Sequence, residues 1–320
     1  MSAREQILLS AIKPTGEIHI GNYFGAMRQW VDLCQSKKYK TFIMVADYHA
    51  LNFVHDAKEM LERTREVILT YLAIGLNRDE VIFFKQSDVL EHTELAWIFD
   101  TITTMPYLEH AHAFKDARAK DATISVGTFN YPMLMAADIL LYDTNVVPVG
   151  EDQKQHIEIA RDTAQKFNHI YKDDVFILPE AYIMPSVSTV PGVDGRKMSK
   201  SYGNTIPLLA SHEMIEKSVM GIVTDSSAQR PEIVYAIHSL VRGKDELDKI
   251  YKEHEGKYKV LKEMLVEDLN TYLSPIVKRY EELEKVSGLV EEILEKGKRE
   301  ASLRASKKME QVKRTIGVRV

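Results

Sequence analysis

Short apolar runs and helical stripes alternate through the first half of the chain. Residues 6–12 (QILLSAI), 41–46 (TFIMVA), 81–84 (VIFF) and 146–149 (VVPV) are continuous apolar segments of strand length. They lack the every-other-residue polarity of a half-exposed sheet and so predict buried strands. Between them, residues 22–35 carry Phe24, Met27, Val31 and Cys34 at helical spacing. Asp56 with Glu59 forms a cap before a longer stripe that includes Met60, Leu61, Ile68, Leu72 and Leu76. A further helix is predicted over residues 151–167. This alternation predicts an α/β fold, a doubly wound parallel sheet with helices on both faces. Residues 94–142 read as a helical insertion packed over the sheet edge.

Residues 186–204 (SVSTVPGVDGRKMSKSYGN) break every periodicity and read as a mobile loop or linker. Beyond them the chain reads as all-helical. Leu247, Ile250, Tyr251, His254, Tyr258, Leu261, Met264 and Leu265 form one apolar stripe, and Ser274-Pro275 predicts the start of another helix. The organisation expected is an α/β domain over residues 1–186, a loop and linker over 187–205, and a helical domain over 206–320.

Composition narrows the function classes. The 320 residues are 45% hydrophobic and 28% charged, within the range of ordinary globular proteins. One cysteine, Cys34, rules out an internal disulfide or a cysteine-rich metal cluster and fits a reducing, cytoplasmic setting. No signal peptide is expected at MSAREQILLSAIKPTG, and no run reaches the ~18 apolar residues of a membrane span. The net charge of −5 gives no hint of nucleic acid, but it is a sum of unequal parts. Residues 296–320 hold nine Lys and Arg against Glu300 and Glu310, so the tail is strongly basic and the rest acidic. A basic helix attracts phosphate backbones, although a solvated face explains the charge equally well.

Two segments carry candidate chemistry. Lys13-Pro14-Thr15-Gly16 ends the first strand and leads through His19-Ile20-Gly21-Asn22 into a helix start, where free N–H groups suit phosphate. His19 can donate to an oxygen gaining charge in a transition state. Lys197-Met198-Ser199-Lys200-Ser201 places two lysines three apart in a glycine-containing loop, a pair able to hold and release pyrophosphate. Either segment alone is weak evidence, but both together, in this order, are not. A third segment, residues 131–140 (YPMLMAADIL), puts Tyr131, Met135 and Asp138 on one helix face. A carboxylate there can accept an indole N–H beside a soft thioether, while core packing is the plain alternative. His110-Ala111-His112 lacks the spacing of a helical metal site, and Glu91 and His92 read as surface residues.

The first two segments resemble the signatures of the class I aminoacyl-tRNA synthetases. With residues 131–140 and 147–158 (VPVGEDQKQHIE), the chain resembles the tryptophanyl-tRNA synthetases within that class. The related tyrosine enzymes carry Gln where Met135 stands. The resemblance implies a Rossmann-like catalytic domain with a C-terminal helical tRNA-binding domain, working as a homodimer with no membrane or DNA partner. It also implies tryptophan activation by ATP with Mg²⁺, pyrophosphate release, and transfer of tryptophan to tRNA(Trp). Lys13, Pro14 and Thr15 would line the phosphates, and Gly21 and Asn22 would receive adenosine. Gly150, Glu151 and Asp152 would border the ribose, and Val190 the adenine. His19, Lys197 and Lys200 would be catalytic, with Met198, Ser199 and Ser201 completing the nucleotide loop. Asp138, Tyr131, Met135, His49, Val147 and Gln153 would form the tryptophan pocket, with no protein-held metal. Many bacterial members carry a second lysine where Ala117 falls, so Arg118 or Lys120 would have to substitute. The alternatives are a tyrosyl-tRNA synthetase, a nucleotidylyltransferase sharing the His-x-Gly-His element, and a paralogue that binds without charging tRNA.

Overall fold

The structure, a computed structural model, describes residues 5–111, 114, 115, 118, 124–150, 154–183, 190–224 and 230–319. Five parallel strands, β1 (Ile7–Ile12), β2 (Lys40–Val45), β3 (Val81–Lys85), β4 (Val146–Val149) and β5 (Glu180–Ile183), lie in the order β3-β2-β1-β4-β5. This is the doubly wound arrangement expected from the alternating pattern. Strand order reverses between β1 and β4, and such a reversal opens a crevice beyond the strands' carboxyl ends. The two strands pair only through Leu8 and Val146, whereas β1 follows β2 in register from Ile7↔Lys40 to Ile12↔Val45. Pro148, lacking an N–H, sits just past that single pairing and is paired only on the other side, with Tyr182 of β5. β5, a four-residue edge strand beside prolines, was not expected from the apolar pattern.

Helix α1 covers residues 20–35 and contains a π-helical stretch at Tyr23–Met27, directly after the His19 cap. α2 is Asp47–Ala50 and α3 is Ala57–Ala73, with Asp56 accepting from the Glu59 N–H at 2.8 Å as predicted. The helical insertion consists of α4 (Glu91–Ile102), α5 (Met105–Glu109) and α6 (Val126–Leu140). α7 (Lys154–Tyr171) precedes β5, and α8 (His212–Met220), α9 (Glu232–His238), α10 (Lys244–Glu253), α11 (Tyr258–Glu284) and α12 (Leu289–Thr315) follow.

Two of these helices differ from expectation. Ser274-Pro275 does not begin a helix but lies inside α11. The Ser274 hydroxyl turns back to the Asn270 carbonyl at 2.5 Å, and buried Leu269, Leu273 and Ile276 carry the apolar stripe across the proline. Pro275 and Thr271 are both exposed, so water can reach the carbonyl that Pro275 cannot serve. Packing outweighs local propensity here.

The basic tail is also used differently. α12 returns to the sheet and covers the edge strand β3, the usual remedy for an open edge. At the crossing, a Cβ on Gly297 would lie 1.7 Å from the Phe83 carbonyl oxygen, so only glycine permits this approach. Ala301, Ala305, Met309 and Val312 then pack with the core beneath α4, α6 and α7. The tail's cations meet acids of the α/β half: Lys308 lies 2.6 Å from Asp143 and Lys313 2.7 Å from Glu94, while Lys296 reaches Asp79 and Arg304 reaches Glu5. Much of the charge segregation seen along the sequence is therefore neutralised within the fold. Among the described residues no helix is long and apolar enough to cross a membrane.

Candidate active site

A cleft of about 530 Å³ opens where β1 and β4 end. Residues 9–13 of β1 and its turn form one wall, and Val147, Pro148, Val149 and Gly150 form the opposite wall. Asp138 and Met135 lie on the α6 side, and Lys197 and Lys200 close the mouth. The sheet topology thus brings together three segments that lie far apart in the sequence, around residues 9–30, 135–157 and 197–200.

At the β1 end, His19 caps α1. Its Nδ1 accepts from the Asn22 backbone N–H at 3.3 Å, and its own N–H donates to Asn22 Oδ1 at 3.1 Å. A ring nitrogen that accepts carries no proton, so the neutral ring bears its hydrogen on Nε2 as a donor. Burial, and then the Lys200 ammonium, push the His19 pKa down to about 4, so the ring is neutral at physiological pH. Gly21 is required by close approach: a Cβ would sit 2.8 Å from His19 Nδ1 and 3.1 Å from Met198 Cβ. Gly16, at φ 77°, turns the chain beneath the Lys200 stem. Lys200 Nζ donates to the Thr15 carbonyl at 2.7 Å, which joins the two signatures directly. Partial desolvation lowers the pKa of both Lys13 and Lys200.

Residues 190–204 form a compact turn organised by Asn204, which is 1% exposed. Its amide donates to Asp194 at 2.7 Å and to the Lys197 carbonyl at 3.2 Å, and its oxygen accepts from the Ser199 N–H at 2.8 Å. Met198 is buried against Gly21 and donates its N–H to the Val190 carbonyl at 2.9 Å. Lys197 and Lys200 are left facing the cleft. Val190 belongs to the core and does not line the cleft, and Ser199 and Ser201 bond to each other at 2.9 Å. Pro14 is buried in its turn.

At the other end, Asp138 is 3% exposed. His49 Nε2 lies 2.9 Å from Oδ2, while Gln86 Nε2 and His92 Nδ1 each lie 2.7 Å from Oδ1. Burial pushes the carboxyl up, but the hydrogen bonds and charge interactions of His49 and His92 outweigh it and hold the pKa at about 2. Tyr131 stands edge-on to His49 at 5.7 Å and hydrogen-bonds His156. Val147 lines the cleft. His92 is fully buried, so its surface assignment is wrong, whereas Glu91 is half-buried at the surface and accepts from the Ser306 hydroxyl. Position alone carried no signal that α4 folds inward onto Asp138. Gln86, Trp30, Gly25 and Ala26 were missed too; the last three line the cleft along α1. Glu151, Asp152, Gln153, Ala117, Lys120 and His112 lie outside the described residues, while Arg118 is exposed.

A parallel sheet of this order, with a nucleotide-suited turn at β1 and a paired-lysine loop across the cleft, is the arrangement that the class I resemblance implies. A family model described as tRNA synthetases class I (W and Y) matches residues 1–295. The chain is 42% identical over 318 residues to the tryptophan–tRNA ligase of Fusobacterium nucleatum, covering 97% of each chain. It is 40% identical over 320 residues to that of Campylobacter jejuni strain RM1221, covering 97% of this chain and 99% of the relative. The crystal structure of Campylobacter jejuni tryptophanyl-tRNA synthetase complexed with ADP and tryptophan superposes with a TM-score of 0.90 at 38% identity, over 98% of this chain and 100% of that one. The chain belongs to the class I aminoacyl-tRNA synthetases and, within them, to the tryptophanyl-tRNA synthetase family.

Proposed function

We propose that the chain ligates tryptophan to tRNA in two steps. ATP and tryptophan give tryptophanyl adenylate and pyrophosphate, and a terminal ribose hydroxyl of the tRNA then takes the aminoacyl group as an ester while AMP leaves. The observation that carries the reading is the buried Asp138 carboxylate, ionised and lining the same cleft as Gly21, Asn22 and the lysine pair, with His19 buried just behind Gly21. An indole N–H is a donor only and needs such an acceptor. Met135 and Val147 supply apolar walls for the ring. His49 stands against both Asp138 and Tyr131, which assigns that pair to the pocket's edge. Gln153 is assigned to the pocket on the family resemblance alone. A tyrosyl reading lacks the polar partner that Gln would supply at position 135.

In the first step a carboxylate oxygen of tryptophan bonds to the α-phosphorus of ATP as the bond to the pyrophosphate oxygen breaks. The substrates supply the nucleophile, so the protein's part is positioning and charge stabilisation. His19 Nε2–H donates to the phosphate oxygens. Lys197 and Lys200, with Lys13, offset the charge growing on pyrophosphate. Thr15, Gly21, Asn22 and Gly150 border the nucleotide, with Glu151 and Asp152 assigned to its ribose. Mg²⁺ would enter on the nucleotide. The described cleft groups nearest the nucleotide-suited turn are Lys13, Lys197, Lys200 and Asn22, and no described cluster of His, Cys, Asp or Glu could hold a metal. The ion's ligands would therefore be phosphate oxygens and water.

We assign tRNA binding to the helical half beyond residue 206, where Lys298 and the exposed Lys307 of α12 form no ion pair among the described residues. A homodimer is supported by Leu90 and Trp97, seven residues apart on one side of α4 and about 70% exposed. The single cysteine supports a cytoplasmic setting. The test is ATP–pyrophosphate exchange with tryptophan and with tyrosine, followed by charging of purified tRNA(Trp). Tryptophan-dependent exchange with charging is expected. Tyrosine-dependent exchange exceeding it would overturn the specificity, and exchange without charging would overturn the second step.

A further inference from the structure

We propose that His92, set by Tyr142, is a positioning residue for tryptophan recognition: it fixes the direction of the hydrogen bonds reaching Asp138 and leaves one acceptor place on that carboxylate for the substrate. The proposal rests on the assignment of Asp138 to the indole nitrogen. His92 lies outside the cleft wall and touches no substrate; it acts through Asp138.

His92 is 0% exposed, with Nδ1 2.7 Å from Asp138 Oδ1 and Nε2 2.8 Å from the Tyr142 hydroxyl. The ring is held between Phe84, stacked at 6.2 Å, and Tyr142 at 5.5 Å, so it cannot swing away. An ionised carboxylate only accepts, so Nδ1 must carry the proton that points at Asp138. Nε2 of a neutral ring is then bare and takes the Tyr142 O–H. Burial first, and then the Asp138 charge, push the Tyr142 phenol well above its ordinary range, so its proton stays in place. The chain of donors therefore runs in one direction, from Tyr142 through His92 to Asp138.

The second donor on Oδ1 is oriented in the same manner. The Gln86 side-chain oxygen accepts the His49 backbone N–H at 3.3 Å, so its amide nitrogen faces Asp138 at 2.7 Å. His49 Nε2 faces Oδ2 at 2.9 Å. Three donors occupy a carboxylate with about four acceptor places. The remaining place faces the cleft that Asp138 lines. An indole N–H fills it and brings no lone pair needing a partner. A phenol oxygen would also need a donor, and the three side-chain donors gathered on Asp138 are already committed to the carboxylate. Fixing the donors thus favours tryptophan over tyrosine, by the general rule that an unpaired buried polar group is costly.

The test uses His92→Leu and His92→Asn in the full chain, read by ATP–pyrophosphate exchange. Asn places an amide nitrogen where Nδ1 stands, so it restores the donor to Asp138, whereas Leu only fills space. For His92→Leu we expect the KM for tryptophan to rise by about 30-fold, from one lost charge-assisted bond. Its KM for ATP should be unchanged, kcat should stay within about threefold, and preference over tyrosine should fall. His92→Asn should recover most of the loss. Parent KM for tryptophan in a folded Leu variant overturns the proposal, as does an Asn variant no better than Leu at equal thermal stability. Should the Leu variant not fold, Tyr142→Phe keeps the ring volume and removes the outer donor. A raised KM for tryptophan alone then supports the proposal and an unchanged one overturns it. Asp138→Asn separates the two readings. Parent KM there defeats the assignment of Asp138 itself, whereas a raised KM there with parent KM in His92→Leu defeats only the role of His92.

Discussion

Gly21→Ala is the substitution for which stability and activity should part most clearly. The added Cβ would stand 2.8 Å from His19 Nδ1 and 3.1 Å from Met198 Cβ. Ordinary carbon–nitrogen contact is about 3.4 Å, so the imidazole must retreat by roughly half an ångström. It cannot do so freely, because Nδ1 holds the Asn22 N–H at 3.3 Å and the ring is 6% exposed. Met198 is equally confined, since its N–H is tied to Val190, and moving it carries Lys197 and Lys200 along. A donor displaced on this scale costs about 100-fold in rate, or about 2.7 kcal/mol of transition-state stabilisation. The backbone itself gains, because Ala is better than Gly in a helix by about 1 kcal/mol. Tryptophan-dependent ATP–pyrophosphate exchange should show kcat down about 100-fold, with the KM for tryptophan unchanged because Asp138 lies across the cleft. The thermal midpoint should fall by only a few degrees, because the backbone gain of about 1 kcal/mol offsets part of the cost of the clash. A variant with kcat within about threefold of the parent would refute the placement of His19 and the loop.

Three other outcomes follow from the same geometry. Asn204→Ala removes three hydrogen bonds inside the lysine loop, worth about 1 kcal/mol each, so exchange should slow about tenfold or more with the tryptophan KM intact, measured by steady-state exchange. Gly297→Ala drives a Cβ into the Phe83 carbonyl and should destabilise by about 3 kcal/mol in urea unfolding, while Arg299→Ala, exposed one turn-half away, should change little. The Asp138 carboxyl, at about 2 when folded, lies below its unfolded value of about 3.9, so its contribution to stability is complete above about pH 4 and is lost as pH falls toward 2. Unfolding followed down that range should show a smaller acid loss in Asp138→Asn than in the parent.

What could be read from the residues alone was whatever local chemistry demands. Four strands were legible because a buried parallel strand must be continuously apolar, and the Asp56 cap because an orphan helix N–H needs an oxygen. His19, Gly21, Lys197 and Lys200 were legible because phosphate chemistry restricts the residue types at a strand end and in a charged loop. Residues whose meaning depends on a distant partner were not. His92 looks like a surface histidine until α4 folds it against Asp138, 46 positions away. Ser274-Pro275 reads as a helix start, yet the apolar stripe of α11 continues through it. The basic tail reads equally as a phosphate-attracting or a solvated helix, and nothing in its charge shows that α12 crosses β3 at Gly297 and brings Lys308 and Lys313 to Asp143 and Glu94. The sequence by itself determined the alternation of elements and the two nucleotide signatures, since both rest on contacts within a few residues. Only the tertiary structure decided which groups surround Asp138 and where the tail's charge goes, because those depend on side chains that meet across the sheet and not along the chain.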